Sequence, residues 1–156
     1  MSQLYSKHGL QFRYPPGWEV SEQREEGQVS ITVSSPHTSF WTVTLLTDRP
    51  EPEDIVAAVL DAFEEEYEEL DVYPSKARIG RRPTAARDID FVCLELLNVA
   101  RVRAFRTPDF TVMVLYQGTD GEFAESGPIL ERITKSLTFS SEPVMDIGDD
   151  TDVADE

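Results

Sequence analysis

The sequence is short of the residues that carry most enzyme chemistry, with two histidines and one cysteine in 156 residues. A single cysteine, Cys93, excludes an internal disulfide framework and a thiolate metal cluster, and it suits a reducing compartment. Set in FVCLEL between Val92 and Leu94, it reads as a small buried thiol. His8 near the N-terminus and His37 in SSPHTSF have no partner close in sequence, so each reads as a solvated turn residue. There is no Gly-x-Ser-x-Gly elbow, no phosphate-cradling glycine loop and no His-Glu-x-x-His. On these grounds no catalytic residue, metal ligand or cofactor is assigned. Long apolar runs are missing as well. MSQLYSKHGLQF lacks the run that a signal peptide needs, and no window approaches the roughly 20 residues of a membrane-spanning helix. The expected location is the cytoplasm, with no membrane partner.

Basic residues are scarce too, with 14 Lys and Arg against 30 Asp and Glu and a formal charge of −16. Such a chain should avoid nucleic acid and anionic membranes. The charge is unevenly placed. From Glu51 to Asp71 there are ten acids and no base, and from Lys76 to Arg87 five bases and no acid. SEPVMDIGDDTDVADE at the C-terminus holds seven acids and neither base nor aromatic, a composition that cannot bury enough surface to order itself. The expected organisation is one domain over residues 1–140 and a disordered acidic tail over 141–156.

Hydrophobic periodicity divides the domain. GLQFRY and WEVSEQ flank the turn PPG, QVSITVSS and FWTVTLL follow, and no helical period appears before Pro50. Then Ile55, Val56, Val59, Leu60, Phe63, Tyr67 and Leu70 recur at steps of three and four, which predicts an amphipathic helix from Pro52 to Leu70. Strands return in VYPSKARIG, in ARDIDFVCLELLNVARVRAF and, across Pro108 and Asp109, in FTVMVLYQ. A second helix is predicted from Asp120 to Leu137, broken or kinked at Gly127 and Pro128.

The central strands set the layering. In FTVMVLYQ, Phe110, Val112, Val114 and Tyr116 point one way and Met113 and Leu115 the other, so both faces must be covered. Two helices and such strands predict an α+β fold, a three-layer α/β/α sandwich with a central antiparallel sheet. In FRYPPGWEV the prolines end a strand, Gly17 turns the chain and Trp18 opens the next strand, so the rings read as hairpin core, with Trp18 buried.

GLQFRYPPGWEV, the hydroxyl-rich strand pair, the acidic helix, VYPSKARIGRRPTAARDIDF, DFTVMVLYQ and ILERITKSLTF occur in an order that resembles the PsbP-like superfamily. Its members include the extrinsic photosystem II protein, a Ran-binding nuclear-import factor, and bacterial DcrB-type and secretion-chaperone domains. The resemblance spans Tyr5 to Phe139. It implies an antiparallel sheet between helices and a non-enzymatic module that binds other proteins, in assembly or as a chaperone. No photosystem-binding extension and no manganese or calcium site of the family maps onto these residues.

Two surfaces are candidates for the partner. Acids crowd the end of the first helix, where the macrodipole is already negative, at about 0.3–1 kcal/mol each when exposed. Glu64 with Glu68 and Glu65 with Glu69 share spacing four, which reads as a solvated face rather than a calcium site. The compensating charge is either intramolecular, from Lys76, Arg78, Arg81, Arg82 or Arg87, or a basic partner surface. Arg81 and Arg82, before Pro83 in an expected hairpin turn, with Arg101 and Arg103 as edge-strand charges, are either a solvated segment or an acceptor for acidic peptide. The candidate protein-binding residues are thus Glu64, Glu65, Glu68, Glu69, Arg81 and Arg82. The partner is another protein, and the chain itself a monomer or weak homodimer. A carrier of small molecules or lipid is the alternative, with a pocket between sheet and helix lined by Trp41, Phe63 and Tyr67.

Overall fold

The computed structural model describes residues 2–140, so the tail expected over 141–156 lies outside the described residues. A seven-stranded antiparallel sheet forms the centre, in the order β3-β4-β5-β11-β10-β9-β6. Its strands are β3 (Glu19–Glu25), β4 (Gln28–Ser34), β5 (Phe40–Leu46), β6 (Leu70–Pro74), β9 (Ala85–Cys93), β10 (Leu96–Arg106) and β11 (Thr111–Thr119). A three-stranded sheet, β1 (Gln3–Lys7), β2 (Leu10–Tyr14) and β12 (Thr138–Phe139), is ordered β1-β2-β12. The short pair β7 (Arg78–Ile79) and β8 (Arg82–Pro83) completes the strands. Helix α1 runs over Pro52–Glu66 and α2 over Asp120–Lys135. The fold is α+β.

Alternation places the core on both sides of the sheet, as its apolar faces require. On one side Ile31, Val33, Trp41, Val43, Val112, Val114 and Tyr116 pack against Leu130 and Ile133 of α2 and Phe12 of β2. On the other, Phe63 meets Ile89, Phe91 and Ala100, and Val56 meets Val102 and Ala104. The two covers are staggered: α1 lies on β9, β10 and β11, and α2 on β5, β10 and β11. Beyond α1 the sheet face changes chemistry. Ser30 bonds Thr44 and Thr32 bonds Thr42 across β4 and β5, both at 2.8 Å. Hydroxyls replace hydrophobes there, the sheet's answer to having no helix overhead.

Several expectations are corrected. PPG is not a hairpin turn but a corner between sheets, because β2 pairs with β1 and β12 while β3 pairs with β4. The strand after it starts at Glu19, and Trp18 is only partly buried against the core. The fully buried tryptophan is Trp41, whose Nε1 donates to Thr134 Oγ1 at 2.9 Å. Strand β1 went unrecognised. It turns into β2 at His8 and Gly9, whose φ angles of 59° and 84° fit a two-residue hairpin loop. His8 is not a free turn residue, since its Nε2 lies 3.1 Å from Glu22 Oε1. Helix α2 runs unbroken through Pro128, which is exposed on the solvent side, where water can serve the carbonyl that its missing N–H leaves behind. Arg101 and Arg103 sit on β10, an interior strand, and both reach Asp88, at 3.7 and 3.0 Å. They are structural ion pairs, not edge charges. Among the described residues no helix is long and apolar enough to cross a membrane.

Candidate protein-binding surface

Helix α1 stops four residues earlier than its hydrophobic spacing predicts. Glu66 is its last residue, Tyr67 is extended, and Leu70 opens β6. Packing explains the early end. Tyr67 stacks toward Phe91 with ring centroids 4.5 Å apart and toward Phe63 at 5.7 Å, and Phe63 meets Phe91 edge-on at 5.1 Å. After Glu66 the chain leaves the helix and runs along β9 as an edge strand, which keeps the Tyr67 ring on Phe91. Glu68 and Glu69 therefore lie in a bend rather than on the helix, and the spacing of four from Glu64 and Glu65 does not set them on one helical face. All four carboxylates are exposed. The last turn of α1 holds no base, and among the described residues none of Glu64, Glu65, Glu66, Glu68 and Glu69 forms an ion pair. Arg87, expected near this end, pairs instead with Glu53 in the first turn, at 3.4 Å.

The hairpin joining β9 to β10 comes up beside this acidic bend. Its two loop residues, Leu94 and Glu95, both adopt left-handed backbone, with φ of 54° and 67°. Asparagine and glycine normally fill such a loop, because a side chain there costs about 1–2 kcal/mol per residue. The strained position displays an apolar side chain: Leu94 is 90% exposed, Leu96 57% and Leu97 44%. Cys93, expected to be buried, is half-exposed at the same hairpin, and burial first, then the proximity of Cys93 and Glu66, raises the pKa of the Tyr67 phenol.

Two shallow cavities flank the tip, one of about 410 Å³ between Tyr67, Glu68, Cys93 and Leu94, the other of about 300 Å³ between Glu69, Asp71, Asp90, Val92 and Leu97. The second lies on the sheet face that α2 leaves bare. Asp71 of β6 is paired with Asp90 of β9 across that ladder, and Tyr73 is 47% exposed beside them, its pKa raised first by Asp71, then by burial and Asp90. Strand β6 is the sheet's outer edge, so its outward N–H and C=O groups face away from the ladder. Leucines, open backbone and unpaired carboxylates thus meet on one continuous end of the molecule.

Arg81 and Arg82 are not part of it. They sit on the β7–β8 turn, which joins the chain at Ala85, the far end of β9 from Leu94; nine residues of strand span roughly 26 Å. Arg81 is exposed, and its carbonyl accepts from Arg78 Nη1 at 2.6 Å. Arg82 lies over the rings of Phe105 and Phe139, 5.4 and 5.8 Å from their centroids. That arginine closes the core. The four glutamates gather at one end, and the two arginines stand apart from them. What residue reasoning missed is the leucine turn, since a loop of Leu and Glu carries no turn residue.

Trp41, Phe63 and Tyr67, expected to line one carrier pocket, do not come together. Trp41 faces α2, whereas Phe63 and Tyr67 pack on the other side of the sheet.

No protein-family model matches the sequence, and no curated protein sequence matches it. Solved structures do. Cyanobacterial PsbP from Synechocystis superposes with a TM-score of 0.61 at 11% identity, covering 88% of this chain and 92% of that one. PA94 of Pseudomonas aeruginosa, a protein of unknown function, gives 0.55 at 13% identity, with 92% and 99% covered. A Bacteroides thetaiotaomicron protein gives 0.58 at 14% identity over 86% of this chain, which spans only 46% of that protein's length. The fold is therefore PsbP-like, as the order of motifs implies.

Proposed function

We propose that this chain is a non-enzymatic protein-binding or assembly module, and that its acidic leucine tip docks a basic, apolar segment of another protein. The observation that carries this reading is Leu94, 90% exposed on a two-residue turn whose backbone disfavours any side chain. Backbone strain persists where the surroundings impose it, and it concentrates at binding sites. A leucine held in water on such a turn gains most when a partner covers it. The carboxylates of Glu66, Glu68, Glu69 and Glu95 around it would steer cationic residues and speed encounter. Edge strand β6 offers the docked segment backbone pairing as well.

The test is anisotropy titration of a labelled amphipathic Lys-Leu peptide against the full chain, the double variant Leu94→Asn/Glu95→Gly and the double variant Glu68→Lys/Glu69→Lys. Wild-type affinity should fall with salt, and each variant should lose about tenfold or more, the size expected when an anchor or its steering charges are removed. Equal affinity for all three proteins refutes the assignment.

A further inference from the structure

A second surface has the opposite character. Between the end of β2 and the last turns of α2 runs an open groove of about 690 Å³, whose floor is Tyr14, Pro15, Ile129 and Ile133 and whose rim carries Arg13, Arg132 and Lys135. In a chain where acids outnumber bases 30 to 14, none of the described residues that line this groove is a carboxylate. Among the described residues none of the three cations takes part in an ion pair. Arg132 and Lys135 complement the helix dipole at the last turn of α2, but Arg13 comes from another element, so the dipole does not account for all three. The partial negative charge of the helix end is about half a unit, and its closing carbonyls already accept from Ser136 N. The charged side chains that line the groove among the described residues are all cationic.

We infer that this groove binds an amphipathic organic anion, a carboxylate carried on a medium-length apolar chain. Its volume lies within the usual range of small-molecule sites, roughly 300–1,000 Å³. A bare inorganic anion would meet only exposed, flexible cations and leave the floor wet. A neutral amphiphile would cover the floor and bring no counter-charge to the three cations, of which only Arg13 has a side-chain partner, Ser2 Oγ at 3.4 Å. Only a ligand with both parts satisfies both surfaces. The seam is held by Ser136, whose Oγ accepts from the Arg13 backbone N–H at 2.8 Å, so the backbones of β2 and the end of α2 keep their spacing without the ligand. This site is separate from the leucine tip and stands or falls independently of it.

The experiment is a ¹⁵N and methyl NMR titration of the full chain with decanoate, with decyl maltoside as the neutral probe and inorganic phosphate at matched ionic strength. Decanoate should shift Ile129, Ile133 and the Tyr14 region saturably. The double variant Arg132→Glu/Lys135→Glu alters exposed side chains, so it should keep the wild-type spectrum elsewhere while weakening decanoate by about tenfold or more, and Ile129→Asn should weaken it with the charges intact. Equal affinity for decanoate and decyl maltoside, displacement by equimolar phosphate, or shifts confined to other surfaces would each overturn the assignment.

Discussion

Asp71 of β6 and Asp90 of β9 stand directly opposite one another across an antiparallel ladder, and neither has an ion-pair partner among the described residues. Like charges so placed destabilise a sheet by roughly 0.2–1 kcal/mol. Asp71→Asn should therefore raise the melting temperature slightly at low salt, and the gain should vanish as salt screens the pair. Lower stability in the variant would mean that the carboxylate is satisfied in a way this pairing does not reveal.

Relief of the turn is the second prediction. Leu94→Asn with Glu95→Gly places in the loop the residues its φ angles favour, so the variant should gain about 1–3 kcal/mol in urea unfolding with an unchanged m-value. A variant that is less stable would show that the leucine is held by contacts rather than displayed.

Truncation of the two tryptophans should separate them. Trp41 is fully buried and bonded to Thr134, so Trp41→Ala should cost about 3–5 kcal/mol, a large-ring core truncation. Trp18 is partly buried at the corner, and Trp18→Ala should cost clearly less. Denaturant midpoints of the two variants in parallel decide it, and equal losses would be wrong for this core.

Glu22 sets a pH dependence. Its carboxyl is held below the ordinary carboxylate range, first by the Tyr5 hydroxyl, which donates at 2.6 Å, and then by His8. The unfolded chain thus takes up this proton before the folded one does. The stabilisation is complete above the ordinary glutamate pKa and is lost as pH falls through the lowered folded value. Glu22→Gln should flatten the acid limb of a melting-temperature profile in that range and leave the neutral region's slope unchanged. An unaltered acid limb would count against the coupling.

The strands with two apolar faces, the amphipathic α1 and the closing Ser-Leu-Thr-Phe strand were legible because their residues repeat at the period of the structure they form. Strand β1 was missed although its His-Gly loop carries a hairpin signal, because five residues of mixed polarity beside a terminus give little period to read. The end of α1 was misplaced for a different reason. Tyr67 and Leu70 continue the helical spacing, but Tyr67 packs on the rings of Phe63 and Phe91 outside the helix, and the contact with Phe91, distant in sequence, is one that local sequence does not encode. Of the candidate surface, the carboxylates were legible as a charge run. The turn at Leu94 was not, since apolar residues, interrupted only by Glu95 and Asn98, run through it from Phe91 to Val99 and no Gly, Pro or Asn marks the point where the chain reverses.

The pairing of β12 with β2, Thr138 against Gln11 and Phe139 against Leu10, has a consequence for synthesis. At ribosomal rates the interval between the appearance of those two segments is on the order of ten seconds. For most of it Phe12 and Trp41, whose rings meet at 4.7 Å in the finished protein, wait without the helix that supplies Leu130 and Thr134. Until then the rings have no helix to cover them, and it is in that interval, not after release, that a holding chaperone would have most to bind.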